Sequence, residues 1–247
     1  MIILPLGHEQ MEAQRLPYIT IGIVILNVAI FLITAVVAPQ TDRELMERGE
    51  ELIGYYFDHL YLDLPQGTFE KFPPEIQAEI EHRKQLGFGE LAERMLDQQT
   101  LSEEVLDALG TGEKGKEDRQ SREEKLKEIR RQEQAHLDQL VQAFEKAFKN
   151  NFYRKYGYIP SRGGILTIFS SMFLHGGIFH LLGNMLFLWL SGCNIEDLWG
   201  RIIYPIFYLL GGIFAAVAHG MMFPESSTPL IGASGAIAAA MGAFMIR

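Results

Sequence analysis

The chain has 247 residues, a mean hydropathy of +0.05 and a formal net charge of -9. Taken as averages, these values describe an ordinary acidic soluble protein and argue against a nucleic-acid partner. Cys193 is the single cysteine, which excludes an intrachain disulfide and a thiolate metal cluster.

The averages conceal a partition. Residues 41–160 hold 26 acidic and 18 basic side chains, 44 of the 53 charges in the sequence (31 acidic plus 22 basic). The remainder is almost charge-free. A polar block interrupting a strongly apolar sequence is the pattern of a membrane protein with one large extramembrane insertion, because only long uncharged helical runs cross hydrocarbon.

In chain order, residues 1–17 form an N-terminal segment, and Tyr18 to Ala38 (YITIGIVILNVAIFLITAVVA) follow without a charge, fenced by Pro17 and Pro39. That run has the roughly 20 residues a bilayer demands. It is too long for the apolar part of a signal peptide, and the residues before it are as acidic as basic. It reads as the first membrane helix.

Residues 39–160 read as an acidic, mainly helical insertion. Thr100, Ser102 and Glu103 suggest a capping box and Gly110 a stop, so a short helix is expected between them. A longer helix is predicted from Glu117 to Asn150, with Leu137, Leu140, Val141, Phe144 and Phe148 as an apolar stripe at helical spacing. The stripe suits packing against Ile76, Ile80, Leu91 and Met95 in a small subdomain, with a dimerising or substrate-recruiting surface as the alternative. Between the helices, TGEKGKEDRQ reads as a solvated linker. Phe152, Tyr153, Tyr156 and Tyr158 make an aromatic junction of the kind that anchors at a membrane interface.

Residues 161–247 are apolar again. Paired glycines after His175 divide the stretch, leaving Ile165 to Leu174 as a short interfacial segment and about 178–193 as a second membrane helix. A third is expected at about 202–223, and a fourth starts at Ser234. At 1.5 Å per residue the fourth covers about 20 Å before Arg247, less than the hydrocarbon thickness. It is therefore expected to be incomplete within these residues. Arg15, Arg201 and Arg247 fall on one side of such a bundle, which places the N-terminus in the cytoplasm. The expected setting is a multi-pass protein of a bacterial inner membrane.

Two polar residues stand out in the second membrane helix. His180 and Asn184 are four apart and share a face. Such groups in hydrocarbon either pair with neighbouring helices or work. Ser234, at the mouth of the fourth helix in PLIGASGAIAAAMGAFMIR, has the same two readings: an ordinary N-cap or a reactive hydroxyl. It does not fit the soluble hydrolase elbow, which needs glycine two residues after the serine, where this chain has Ala236. Ser234, Ala238 and Gly242 form one small-residue face, and Gly235, Ala239 and Ala243 another, so a second backbone can approach closely.

FLHGGIFHLLGNMLFLW, a third apolar run and then GASGAIAAAMG together resemble the rhomboid intramembrane serine proteases, whose second membrane helix carries HxxxN and whose fourth begins with GxSG. The resemblance covers the first helix and Gly163 to Arg247. It implies an all-α polytopic membrane protein, a partial rhomboid-like bundle with a large helical soluble insertion between its first two membrane helices. It implies Ser234 as nucleophile, His180 and Asn184 at the oxyanion site, Gly232 shaping the loop before the serine, and Gly235 permitting tight packing. His175 matches a further family histidine of structural kind. No cofactor or metal is expected. The expected partners are the lipid bilayer and single-pass transmembrane substrates, with the insertion recruiting a protein partner or substrate.

The sequence departs from the family in two places. The family often has Trp-Arg ahead of the second helix, where this chain reads Gly164, Ile165, Leu166, Thr167. The family's base is a histidine on a later membrane helix, and no histidine follows Ser234. A serine without a base is a poor nucleophile, so the 247 residues alone are expected to be inactive. His219 precedes the serine, near the far end of the third helix, and is disfavoured as a substitute. The rival readings are a catalytically inactive relative that binds membrane segments, and a purely structural or transport protein.

Overall fold

The computed structural model describes residues 16–89, 91 and 117–246, the side chains of 117–123 excepted. The expected helix at 102–110 and Met95 lie outside the described residues. The architecture is all-helical, and extended pairing among the described residues is an isolated antiparallel bridge between Tyr158 and Leu230. The chain divides into two compact units, one of Met1–Asp42 with Lys149–Arg247 and one of Arg43–Phe148.

Helix α1 (Tyr18–Asp58) begins as the apolar run and does not stop at Pro39. Proline removes one backbone donor and crowds the preceding turn, so the sequence favours a boundary there. Tertiary burial overrides it: beyond the proline, Leu52 and Tyr56 of the same helix are fully buried. The Thr41 hydroxyl also donates to the Ala38 carbonyl at 2.9 Å.

The insertion unit contains the second part of α1, α2 (Gln66–Phe69), α3 (Pro74–Gln85) and most of α4 (Glu117–Asn150). The apolar stripe of α4 is its core: Leu137, Leu140, Val141 and Phe144 cluster with Leu52, Tyr56, Leu60, Leu62, Phe72 and Ile80. Of the expected partners, Ile80 is buried in this cluster and Ile76 packs against it. Leu91 does not; it is exposed. Its place is taken by the second part of α1, through Leu52 and Tyr56, residues inside the expected insertion that the sequence pattern does not single out as partners of the stripe.

The other unit holds α5 (Phe152–Tyr156), α6 (Ile165–Ser171), α7 (Ile178–Met222) and α8 (Ser234–Met245) with the first part of α1. Helix α7 is broken at Gly200, whose φ of 76° and ψ of 179° are not helical, giving limbs 178–199 and 201–222. That conformation suits glycine alone. Small residues let the elements meet: a methyl group added at Gly192 would lie 2.5 Å from the Tyr204 hydroxyl and 3.2 Å from Thr20.

Glu196, buried near the end of the first limb, accepts hydrogen bonds from the Ile19 and Thr20 amides and the Thr20 hydroxyl at 2.8 to 2.9 Å. These are orphan donors of the first turn of α1, and a carboxylate there also meets the positive end of the helix dipole. Helices α1 and α7 are long and apolar enough to cross a membrane.

Candidate active site

The site is assembled where the start of α7 meets the loop that leads into α8. Gly177 opens α7 in an extended conformation, and His180 and Asn184 follow one turn apart. Asn184 is buried, and its Nδ2 donor has no hydrogen-bond partner among the described residues. A buried amide donor left open costs free energy, which marks it as a group held ready for something else. His180 is exposed and presents its ring edge-on to His175, with centroids 5.1 Å apart. His175 is fully buried and neither ring nitrogen is hydrogen-bonded among the described residues. Burial, with the His180 imidazole second, pushes its pKa down to about 4, so it is neutral at physiological pH.

The loop is pinned against this face. Tyr158 and Leu230 exchange backbone hydrogen bonds of 3.1 and 2.7 Å, and the Gly232 amide donates to the Ser171 carbonyl at 2.8 Å. Gly232 has a φ of +121°, and a methyl group added to it would lie 2.9 Å from His180 Nε2 and 3.8 Å from Asn184 Nδ2. Both the conformation and the space require glycine. The backbone two residues before Ser234 is thus brought against both polar residues of α7.

Ser234 is the first residue of α8, and the N-cap position is Ala233, with no side-chain cap. The N-cap reading of Ser234 is therefore corrected: its hydroxyl is exposed and makes no hydrogen bond among the described residues. Gly235 and Ala239 seat α8 against the second limb of α7, where added or existing methyl groups would come within 2.4 Å at Ala215 and 2.5 Å at Gly211. The Ser234, Ala238 and Gly242 face is exposed.

A cavity of about 160 Å³ opens beside the serine, lined by Ser171, Gly212, His219, Gly232, Ser234 and Gly235 among others. His219, disfavoured from sequence, shares this cavity with Ser234. A local signal for it existed: Gly211, Ala215 and His219 recur every four residues on one face, and the first two are those that α8 packs against. The roles of the Ser171 carbonyl and of Tyr158 had no such signal, since both act through backbone pairing far away in sequence.

Chemically, the arrangement offers an exposed hydroxyl, an open buried amide donor, and the free backbone N–H groups of the first turn of α8, whose dipole favours negative charge. Donors aimed at a developing oxyanion typically contribute a few kcal/mol.

The sequence profile of the Rhomboid domain matches residues 162–247. RHOMBOID-like protein 2 of Arabidopsis thaliana is 39% identical over 70 residues, which are 28% of this chain and 22% of that protein. Rhomboid protease GluP of Bacillus subtilis is 34% identical over 94 residues, 38% of this chain and 18% of that protein. RHOMBOID-like protein 6, mitochondrial, of Arabidopsis thaliana is 32% identical over 78 residues, 32% of this chain and 25% of that protein. The chain thus spans a quarter or less of the length of these curated relatives. No solved structure matches. The matched segment contains the start of α7, the Gly232 loop and Ser234, so that residues 162–247 carry the Rhomboid domain.

Proposed function

We propose that this protein is a serine-type intramembrane endopeptidase that cleaves membrane-spanning substrates, with Ser234 as nucleophile and His180 and Asn184 at the oxyanion site. The observation that carries the reading is Gly232, whose Cα lies so close to His180 and Asn184 that a side chain there would meet both. Ser234 follows two residues later on the wall of a cavity. The similarity to the Bacillus subtilis relative, itself named a rhomboid protease, agrees with it.

In this scheme the Ser234 hydroxyl oxygen attacks the scissile carbonyl carbon and its proton passes to a base. The carbonyl oxygen becomes an oxyanion, stabilised by Asn184 Nδ2, by a ring N–H of His180 and by backbone amides at the start of α8. Collapse expels the amine, and water then hydrolyses the serine ester. Residues 235–247 contain no histidine, so residues 1–247 by themselves are proposed not to complete this cycle. The proposed setting is a multi-pass arrangement in a bacterial inner membrane with the N-terminus in the cytoplasm, and the proposed role of the insertion is to select substrates.

The test is cleavage of a labelled single-pass membrane peptide by the natural full-length protein in proteoliposomes. Ser234→Ala is expected to abolish it, and Asn184→Ala to lower kcat by about 10²–10³. Cleavage that survives Ser234→Ala overturns the assignment. A full-length protein that binds the peptide without ever cutting it establishes the rival, an inactive relative that holds membrane segments.

A further inference from the structure

Tyr158 belongs to an aromatic junction whose composition suits a membrane interface, yet it is buried, at 8% of full accessibility. Its ring lies inside the protein, against the last turns of α7. A methyl group added to Gly220 would fall 2.5 Å from the Tyr158 hydroxyl oxygen, 3.4 Å from Cζ and 3.5 Å from Cε1. Gly212, Ala216 and Gly220 recur every four residues and so share one face of the second limb of α7. The first two, with His219, line the cavity beside Ser234. The phenol ring therefore takes the third place on a face that forms one wall of that cavity.

The main chain of the same residue holds another wall. Tyr158 and Leu230 exchange hydrogen bonds of 3.1 and 2.7 Å, and Leu230 also lines the cavity. Gly157 is packed on both neighbours of Leu230, since a methyl group added there would lie 2.9 Å from Pro229 Cβ and 3.2 Å from Ile231 Cγ2. That contact resists sliding of the loop along the bridge. Tyr158 is fixed in its turn by the bonds around it. The Gly157 amide donates to the Tyr153 carbonyl at 2.8 Å, and the Arg162 and Gly163 amides donate to the Ile159 carbonyl at 3.1 and 2.9 Å.

One rigid residue thus joins the wall built by α7 to the wall built by the loop that enters α8. We propose that Tyr158 is a positioning residue that spaces these two walls, and so sets the size of the substrate side chain admitted beside Ser234. The proposal rests on the reading of Ser234 as nucleophile and deepens it. Tyr158 touches no reacting atom in that scheme; it acts through Leu230 and the end of α7. The absence of a side chain at Gly220 is what seats the phenol at this depth.

The experiment uses the natural full-length protein in proteoliposomes with two labelled single-pass membrane peptides, carrying Ala or Leu as the residue whose carbonyl is attacked. The readout is the ratio of kcat/KM for the Ala peptide to kcat/KM for the Leu peptide, which a lower folded fraction leaves unchanged. Gly220→Ala inserts a methyl group between ring and wall, and the ratio should fall about tenfold, the effect of roughly one methylene on discrimination by an apolar pocket. The crowding is with the hydroxyl oxygen, whereas Cζ stands at an ordinary contact distance. In a Tyr158→Phe background the same Gly220→Ala should therefore change the ratio by less than about twofold, as expected of two groups coupled through one contact. If Gly220→Ala fails to fold, Tyr158→Leu, which shortens the spacer, must still shift the ratio by about threefold or more. An unchanged ratio in the variant that folds, or an equal fall with and without the hydroxyl, overturns the role of Tyr158 while Ser234-dependent cleavage stands. A parent protein without Ser234-dependent cleavage removes instead the catalytic reading on which that role rests.

Discussion

The two units of this chain are both helical, yet they are packed by opposite means. In the insertion the core is made of large side chains: Leu52, Tyr56, Ile80 and Leu137 are at most 1% accessible, and the charges face water. In the unit that carries the Rhomboid domain many large side chains face outward, with Phe179, Ile202 and Met221 all above 75% accessible; Leu188, Ile195, Tyr204 and Tyr208 are buried between its helices, and its tightest helix contacts are made by glycine and alanine. Burial of apolar area drives the first kind of core. It supplies nothing in lipid, where close backbone approach and dispersion must hold the helices together. The same composition argument therefore assigns opposite meanings to an exposed leucine in the two halves.

The largest expected effect breaks the membrane half of this comparison. Gly235→Leu places a side chain where a single methyl would already lie 2.4 Å from Ala215 Cβ. Helix α8 must then move away from α7, at a cost above about 3 kcal/mol, and the Ser234 site disperses with it. Gly242→Leu, at a position with nothing within 4 Å among the described residues, should leave the fold of the same helix unchanged. Denaturant titration in mixed micelles distinguishes the two, and equal behaviour would remove small-residue packing as the cause.

The matching change in the other half is Leu137→Ala. Leu137 is fully buried between α4 and the second part of α1, and truncation of such a side chain costs about 2–5 kcal/mol. The loss should be confined to the insertion. Hydrogen exchange should accelerate within Arg43–Phe148 and stay unaltered at the start of α8.

Much of this contrast was legible in the sequence, and the illegible part has a common cause. The stripe on α4 and the bounds of that helix follow from periodicity, and the break before Ile178 follows from paired glycines. HxxxN and GxSG were visible because each is local. What periodicity cannot give is the partner of a face. Leu137 and Phe144 announced that they needed a cover without naming α1, and Pro39 argued for a helix end that Leu52 and Tyr56 override from beyond it. Nothing local singled out Glu196, because its donors Ile19 and Thr20 lie over 170 residues away. The cavity shared by His219 and Ser234 needed the return of the chain through the Tyr158 bridge to exist at all.

His175 sharpens the comparison through pH. In the insertion, His59 lies 3.9 Å from Glu133 at a partly open surface, whereas His175 is enclosed. Its folded pKa of about 4 lies below the ordinary 6.5, so the unfolded chain binds the proton first as the pH falls. The contribution of the neutral ring is fully present above pH 6.5 and is lost progressively down to pH 4, amounting at most to about 3 kcal/mol. The unfolding midpoint of the rhomboid unit should fall across that window and flatten below it. His175→Gln should remove the slope; an unchanged slope would assign it to another group.

A smaller loss is expected at Glu196→Ala. The substitution strands two amides and one hydroxyl that now bond to the carboxylate, a cost of about 1–3 kcal/mol. It should fray the first turn of α1 and leave the insertion's exchange pattern untouched.

The smallest effect is expected from the largest change. If the two cores are independent, removing Arg43–Phe148 should leave the rhomboid unit folded. The ends of that excision are already joined on the side that stays: Asn151 Nδ2 donates to Asp42 Oδ1 at 2.6 Å, and the Phe152 amide donates to the Thr41 hydroxyl at 3.1 Å. A linker of a few glycine and serine residues can therefore close the gap, and loop closure over so short a distance adds little entropy cost. The shortened protein should unfold in micelles at the denaturant concentration of the parent, while choice among native membrane substrates by the full-length protein should change if the insertion selects them. Unfolding of the shortened chain would mean that the insertion's core supports the membrane helices. An intact fold with unchanged substrate choice would separate the insertion from recognition altogether, leaving the two packing modes independent in function as well as in structure.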